Sequence, residues 1–188
     1  MTRLVTHVLV IASMTAFATA GGQSPKKFTL TSPDVHQGQK IAQKYVFGGM
    51  GCTGSNVSPA LSWSGAPAKT RSYAVTIYDP DAPTGSGWWH WIVYNIPASV
   101  TKLDAGAGDE SRQLLPAGAA QGHNDGGMVG YMGPCPPAGD KPHHYHITVF
   151  ALDTDKIDVP ANATAAVIGF NLHGHTLAKA ELTPLYNR

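Results

Sequence analysis

The sequence predicts a mostly β domain, and three observations support this fold class. Five short runs are rich in β-branched and aromatic residues, which favour extended backbone. Clusters of Gly, Pro, Asn and Asp, which favour turns, separate these runs. The runs do not alternate regularly with helical segments, so a parallel sheet built from strand–helix–strand units is not expected.

The predicted strands differ in length and in how clearly they end. The first is short because Ser32 and Pro33 follow it, whereas the last is the longest. The second alternates apolar and polar residues, and the third and fourth are rich in β-branched and aromatic residues. Along the chain we expect strands at residues 28–31, 60–63, 72–78, 90–96 and 144–152.

One helix is predicted late in the chain, at residues 163–182, and Thr183 and Pro184 end it. Gly169 and Gly174 weaken the helical pattern. Before the last strand, residues 104–130 are rich in Gly and Asp and predict a long loop with one short turn; such loops are often functional. The apolar positions that would share one side of the helix are Val167, Ile168, Leu172 and Leu177.

Composition and charge exclude several classes of protein. Thirteen Lys and Arg residues balance twelve Asp and Glu residues, and only 13% of residues are charged, about half the usual share. A nucleic-acid-binding protein would normally carry a basic excess, so we expect no nucleic-acid partner. The 4 Trp, 7 Tyr and 5 Phe residues argue against a disordered chain. Two cysteines are too few for a four-thiolate zinc site or a small disulfide-framework protein.

The N-terminus has the pattern of a cleavable signal peptide. Arg3 precedes a short apolar stretch, and Ala18, Thr19 and Ala20 form a small-residue cleavage site. We therefore expect residues 1–20 to be removed and residues 21–188 to form a single domain that is periplasmic or secreted. No later segment has the uninterrupted apolar sequence of a membrane span, so no integral membrane segment is expected after cleavage. A poorly ordered cytosolic tail is the alternative.

Export affects how the two cysteines are interpreted. In an oxidising compartment, Cys52 and Cys135 are the only pair that can form a disulfide within the chain. Such a bridge would close a loop of about 84 residues and stabilise the fold by roughly 4–5 kcal/mol in the chain-entropy model. Two buried free thiols are the alternative, because the sequence does not show whether the Cα atoms lie within bridging distance.

Acidic and aromatic residues are concentrated after the third predicted strand. Asp79 lies at its end, and Pro80 and Pro83 favour an extended geometry that places Asp79 and Asp81 on the same side. Residues 88–91 (WWHW) then add a histidine beside three tryptophans. These residues indicate a polar site in an apolar wall, where one carboxyl group could be kept neutral by the other. An exposed, capped turn is the alternative.

A second segment combines a rigid loop with four closely spaced polar residues. Gly and Pro fix an irregular backbone at residues 130–137 (GYMGPCPP), which leads towards residues 143–146 (HHYH). Strand alternation would put His143 and Tyr145 on one face and His144 and His146 on the other. His143 and Tyr145 can then both donate into one pocket. The alternative is that each histidine is an ordinary hydrogen-bonded strand residue.

Together the two segments resemble the phosphatidylethanolamine-binding protein family, and more closely its bacterial Raf-kinase-inhibitor-like branch. The resemblance rests on D-P-D-A-P followed by H-W at residues 79–91, and on G-Y-x-G-P-x-P-P followed by H-x-Y at residues 130–145. It covers about residues 28–188. His144 is a departure, since eukaryotic relatives have Arg there, and alternation points this side chain away from the pocket. Supporting matches lie at residues 51–59, 61–63, 124–127 and 174–186.

The resemblance implies an antiparallel β-sandwich with Greek-key connections and a few peripheral α-helices. It also implies a pocket for a small anionic or phosphorylated ligand, with no cofactor and no metal. Because the residues carried over include no Lys or Arg, imidazole, hydroxyl and backbone donors would hold the anion. We therefore expect anion affinity to rise as the pH falls towards about 5–6. The implied ligand-binding residues are Asp79, Asp81, His90, Gly133, Pro134, Pro136, His143 and Tyr145.

The expected function is thus that of an exported binding protein, which could inhibit or regulate another protein. A hydrolase that uses the pocket's Asp and His residues as acid and base is the main alternative, although the sequence has no G-x-S-x-G nucleophile motif. A zinc protein that uses His144 and His146 is a third hypothesis. The identity of a protein target, and the choice between a monomer and a homodimer, stay open.

Overall fold

Short antiparallel strands and one α-helix make up the regular structure of residues 26–188, which the computed structural model describes. The predicted signal peptide at residues 1–20 lies outside the described residues. Helix α1 spans Ala165–His175, and 3-10 turns lie at Gln43–Tyr45 and Glu110–Arg112. In this part of the chain no helix is both long and apolar enough to cross a membrane. The strands are β1 (Thr29–Thr31), β2 (Leu61–Ser64), β3 (Ser72–Asp79), β4 (Trp88–Pro97), β5 (Lys102–Leu103), β6 (Ala120–Gln121), β7 (His143–His144), β8 (His146–Leu152), β9 (Thr176–Leu182) and β10 (Leu185–Tyr186).

The larger sheet has the strand order β6-β4-β3-β8-β9, and all of its neighbouring strands are antiparallel. β3 and β4 are consecutive, whereas β8 returns after a long connection to pair with the other side of β3. A smaller sheet has the order β1-β2-β5, and β7 pairs with β10. The predicted mostly β, antiparallel fold class is therefore confirmed.

Both faces of the larger sheet are buried, which explains why β3 is buried along almost its whole length. On one face, Val75 belongs to the main core together with Trp63 of β2. On the other face, Ala74 belongs to a second cluster together with Ile168 and Leu172 of α1. Side chains that alternate along one strand thus contribute to two cores. The sheet lies between the smaller sheet and α1.

The prediction of a helix at residues 163–182 is wrong for residues 176–182. α1 ends at His175, and Thr176–Leu182 forms β9, which pairs with β8. At the junction the hydroxyl of Thr176 donates to the carbonyl of Leu172. The Ala, Lys, Glu and Leu residues of this segment favour a helix locally. The edge of β8 offers backbone hydrogen-bond partners, and this tertiary pairing outweighs local propensity.

The strand predicted at residues 144–152 is divided at Tyr145. β7 pairs with β10 before this residue, and β8 pairs with β3 after it, so the chain changes sheets here. His143 and Tyr145 are nevertheless both buried, and His144 is exposed, as alternation predicted. The other predicted strands agree with the structure to within two residues at each end.

Candidate functional site

Strand pairing brings the two sequence segments to the same end of the larger sheet. Asp79 at the end of β3 pairs with Trp88 at the start of β4. On the other side of β3, Tyr78 pairs with His146 at the start of β8. The Gly- and Pro-rich loop at residues 130–137 reaches this end because the Met132 N–H donates to the carbonyl of His90 (2.9 Å). Segments far apart in sequence therefore meet around one opening.

A cavity of about 330 Å³ lies at this end of the sheet. A cavity of this size, with a few polar groups in a largely apolar wall, is typical of a small-molecule site. The apolar part of its wall consists of Met50, Ala82, Pro83, Met132, Cys135, Pro136 and Pro137. The polar part consists of Asp79, Thr84, Trp88, His90, His143, Tyr145 and Arg188.

Two of the predicted ligand residues, Gly133 and Pro134, are buried behind the cavity wall and are not part of its lining. The N–H of Gly133 donates to Asn56 Oδ1 (2.8 Å), and the carbonyl of Pro134 accepts from the Phe47 N–H (3.1 Å). A Cβ on Gly133 would collide with the backbone of Tyr45, so glycine permits this close packing. The predicted residues that do line the cavity are Asp79, His90, Pro136, His143 and Tyr145.

Asp81 lies beside the cavity and is not part of its lining, so the expectation that it shares one side with Asp79 is corrected. β3 ends at Asp79, and in the turn that follows the Asp81 N–H donates to Asp79 Oδ1 (2.8 Å). Strand alternation no longer applies in such a turn. Asp81 Oδ2 instead accepts from the N–H and the Nδ1–H of His144, at 2.8 and 2.7 Å. Burial opposes the charged form of Asp81, but these bonds outweigh it and lower its pKa.

A buried pair of Asp79 and His143 forms the charged part of the cavity. His143 Nδ1 lies 2.7 Å from Asp79 Oδ2, and the two side chains are only 5% and 3% exposed. On the other side of the ring, Nε2 lies 3.4 Å from Asp140 Oδ2. Burial alone would lower the pKa of His143, but the hydrogen bond and charge of Asp79 outweigh burial and raise it. Both ring nitrogens face carboxylates, which suits the doubly protonated ring.

His90 has the opposite environment. Its Nδ1–H donates to the carbonyl of Met132 (2.7 Å), which leaves Nε2 as the lone-pair nitrogen of the neutral ring. Burial lowers the pKa of His90 and outweighs the opposing effects of the Met132 carbonyl and the charge of Asp79. At neutral pH the ring is therefore uncharged. Its Nε2 then accepts a hydrogen bond, and it becomes a donor once protonated.

Three residues of the cavity wall carry buried polar atoms that form no hydrogen bond with any described residue. These atoms are Trp88 Nε1, His90 Nε2 and the Tyr145 hydroxyl; one more such atom among the described residues, Trp63 Nε1, belongs to the core. The rings of His90 and Tyr145 meet edge to face, with centroids 5.1 Å apart. Burial raises the pKa of the Tyr145 hydroxyl, which stays protonated. Unpartnered buried polar atoms are costly, so their concentration at one cavity indicates a binding site.

The predicted disulfide is present and forms part of the cavity wall. Cys52 and Cys135 are bonded; their Cα atoms are 6.0 Å apart, and the two residues are 83 positions apart in the sequence. The alternative of two free thiols is therefore wrong. Arg188 makes a second connection between the same two segments: its Nε–H donates to the Pro136 carbonyl (2.7 Å), and its Nη1–H donates to the Gly51 carbonyl (2.9 Å).

Comparison with known proteins identifies the family. A family model described as phosphatidylethanolamine-binding protein matches residues 31–187. The chain belongs to the phosphatidylethanolamine-binding protein family. It is 51% identical over 178 residues to the UPF0098 protein YbcL of Escherichia coli K12, covering 95% of this chain and 97% of YbcL. It is 48% identical over 158 residues to YbhB of the same organism, covering 84% of this chain and 99% of YbhB.

Solved structures of the phosphatidylethanolamine-binding protein family share this fold. The crystal structure of E. coli YbcL, described as a new member of the mammalian PEBP family, aligns with a TM-score of 0.85 and 52% sequence identity over 87% of this chain and 99% of that chain. The phosphatidylethanolamine-binding protein of Plasmodium vivax aligns with a TM-score of 0.55 at 15% identity, and covers 86% of this chain and 85% of that chain. The second likeness concerns the fold alone.

Sequence reasoning within the family motifs missed three polar residues of the cavity, namely Thr84, Trp88 and Arg188. Trp88 precedes His90 by two positions on β4, so strand alternation could have placed both on one face. Arg188 had no comparable signal. It reaches the cavity because Tyr186 on β10 pairs with His143 on β7, a long-range pairing that brings the end of the chain to the site.

The two histidines considered as zinc ligands bind different carboxylates. His144 Nδ1 lies 2.7 Å from Asp81 Oδ2, whereas His146 Nδ1 lies 2.9 Å from Glu181 Oε1. Within residues 26–188, no group of three or more His, Cys, Asp or Glu side chains lies close enough together to hold a metal ion.

Proposed function

We propose that this protein binds a small phosphorylated anion in the cavity. The observation that carries the proposal is the set of unpartnered polar atoms on Trp88, His90 and Tyr145. The Trp88 Nε1–H can only donate, and the tyrosine hydroxyl can donate or accept. Phosphate oxygens accept several hydrogen bonds at once, so one phosphate group could satisfy neighbouring donors of different kinds.

The state of His90 makes the proposed binding depend on pH. Its neutral Nε2 is an acceptor, which repels a fully deprotonated phosphate oxygen. Two routes avoid this repulsion. The phosphate can donate a proton that it already carries, which consumes no proton on binding, or His90 can take up a proton, which consumes one and adds a positive charge to the cavity. Burial of His90 lowers its pKa and opposes protonation. The charges of Asp79 and Asp125 raise the pKa and favour protonation. Affinity should therefore rise as the pH falls.

Titration with inorganic phosphate, followed by calorimetry at about pH 5.5 and about pH 8, tests this proposal. We expect phosphate to bind at least about tenfold more tightly at the lower pH. The His90→Asn variant keeps a donor for the Met132 carbonyl but has no Nε2, so its phosphate affinity should fall and depend less on pH. The control is His173→Asn, because His173 is an exposed residue of α1 outside this cavity. Equal wild-type affinity at both pH values contradicts the proposal.

We further propose that the protein regulates another protein and does not turn over its bound ligand. Two potential nucleophiles of the cavity wall are engaged: Cys135 is in the disulfide, and the Thr84 hydroxyl donates to the Gly87 carbonyl. A panel of phosphate esters and carboxylate esters tests this part. Release of product by the wild-type protein, abolished in His90→Ala, would support a hydrolase instead.

Export to the periplasm or secretion is the last part of the proposal. It is supported by the signal-peptide pattern at residues 1–20 and, weakly, by the disulfide between Cys52 and Cys135. Fractionation of cells that express the full chain, followed by mass spectrometry of the N-terminus, should find the protein outside the cytoplasm and beginning after Ala20. Uncleaved protein in the cytoplasm would contradict export.

A further inference from the structure

Arg188 lies in the cavity wall, and no carboxylate side chain of residues 26–188 forms an ion pair with it. It is the one Lys or Arg among the residues that line this cavity. None of the ion pairs between described residues includes it, whereas Arg71 pairs with Asp155. Its positive charge is therefore not compensated by a neighbouring side chain.

Two backbone carbonyls fix the position of the guanidinium group of Arg188. Pro136 O accepts from Nε at 2.7 Å, and Gly51 O accepts from Nη1 at 2.9 Å. A guanidinium group has five N–H donors, so the remaining N–H of Nη1 and both of Nη2 are not used by these bonds. Gly51 has a φ of +79°, which favours glycine, and a Cβ there would make a tight contact of 3.1 Å with Nη1. The carbonyl of Arg188 itself accepts from the Gly139 N–H (3.2 Å), which anchors the chain end.

We propose that Arg188 is an anion-binding residue of this cavity, and that it selects phosphate or phosphomonoester ligands by direct contact with their oxygens. The inference rests on the proposed anion-binding function and adds a residue outside the family motifs. The planar guanidinium group matches two oxygens of one phosphate, and its charge persists at every physiological pH. It therefore provides a permanent cation, whereas His90 is uncharged at neutral pH and the charge of His143 is paired with Asp79.

The experiment measures the affinity for inorganic phosphate at about pH 8, in about 20 mM and about 200 mM sodium chloride. Three variants are compared with the wild type: Arg188→Met, Arg188→Lys and Arg71→Met. Arg71→Met is the matched control, because it removes the same charge at the opposite end of β3, at an exposed residue outside this cavity. The melting temperature of each variant, measured separately, shows whether losing the bonds of Arg188 to Pro136 and Gly51 destabilises the fold.

We expect Arg188→Met to weaken phosphate binding about tenfold and to reduce the dependence of affinity on salt. Arg188→Lys should recover part of the affinity and the salt dependence, since it restores the charge but not the planar fork. Arg71→Met should bind phosphate like the wild type.

Two results would overturn the inference without affecting the proposed function. One is wild-type binding that Arg188→Met leaves unchanged. The other is weaker binding by Arg188→Met with unchanged salt dependence and a lower melting temperature, which would show that Arg188 only ties Gly51 to Pro136. If the wild-type protein does not bind phosphate at either pH, the proposed function and this inference both fail.

Discussion

Replacing Cys52 and Cys135 together with serine should lower the free energy of unfolding by about 4 kcal/mol. The magnitude follows from the length of the closed loop. The two cysteines are 83 positions apart, and in the chain-entropy model a loop of this length restricts the unfolded chain by roughly 4–5 kcal/mol at 25 °C. Removing a native disulfide typically costs about 2–5 kcal/mol of unfolding free energy. Because the closed loop is long, the cost for this disulfide should lie near the upper end of that range.

The variant should still fold, because other bonds hold the same two segments together. The Phe47 N–H donates to the carbonyl of Pro134 (3.1 Å), and Arg188 bonds to the carbonyls of Gly51 and Pro136. The loss should therefore appear in stability first. A second expected effect is weaker anion binding, because Cys135 lines the cavity and its segment becomes free to move.

Urea denaturation at neutral pH, followed by tryptophan fluorescence, measures the change. The double-serine variant should unfold at a lower urea concentration with the same slope. Adding a reductant should destabilise the wild type to a similar extent and leave the variant unchanged, which controls for the serine substitutions. A loss below about 1 kcal/mol in both experiments would refute the reasoning, because the bridge would then not restrict the unfolded chain.

Three further predictions concern the buried charges and the helix. Asp79→Asn should cost about 3 kcal/mol, because it removes the carboxylate beside buried His143. Because the pKa of His143 is raised, its pairing with Asp79 stabilises the fold fully below about pH 6.5, and this stabilisation is lost as the pH rises. In urea denaturation, Asp79→Asn should therefore lose most unfolding free energy at acid pH. The pKa of His90 is lowered, so the pH dependence of its contribution to the unfolding free energy is reversed: this contribution is present above about pH 6.5 and is lost as the pH falls. His90→Asn should remove this decrease in the unfolding free energy at acid pH. Thr164→Ala should lower the unfolding free energy by about 1 kcal/mol in thermal unfolding, because the Thr164 hydroxyl accepts from the Val167 N–H at the start of α1. If any of the three variants behaves like the wild type within experimental error, the contact assigned to that residue is contradicted.

The strands could be predicted because their residue pattern and their packing agree. In β3 the high share of β-branched and aromatic residues reflects burial on both faces, and the turn residues on either side mark its ends. β9 could not be predicted in the same way. Its seven residues contain helix-forming Ala, Lys, Glu and Leu directly after a true helix, and they become a strand only because β8 has a free edge.

The site shows the same division between local and long-range information. The buried positions of His143 and Tyr145 followed from alternation along one segment. Asp81 did not follow the same rule, since the strand ends at Asp79 and the backbone turns. Arg188 was beyond any local rule, because only the pairing of β10 with β7 brings the chain end to the cavity.

The charges around the cavity explain how an anion could bind without a basic patch. The carboxylate of buried Asp79 lies beside His143 and raises its pKa, whereas burial lowers the pKa of His90, so neither histidine leaves an unpaired positive charge at neutral pH. Asp140 also faces His143, but its side chain is 41% exposed and water screens its charge. The uncompensated charge is that of Arg188, whose position depends on the register of Tyr186 opposite His143. β10 ends at Tyr186, so the guanidinium of Arg188 is placed by its bonds to the carbonyls of Pro136 and Gly51 and by this two-residue pairing. The proposed anion binding should therefore depend on the segment that ends in Arg188 as well as on the residues of the family motifs.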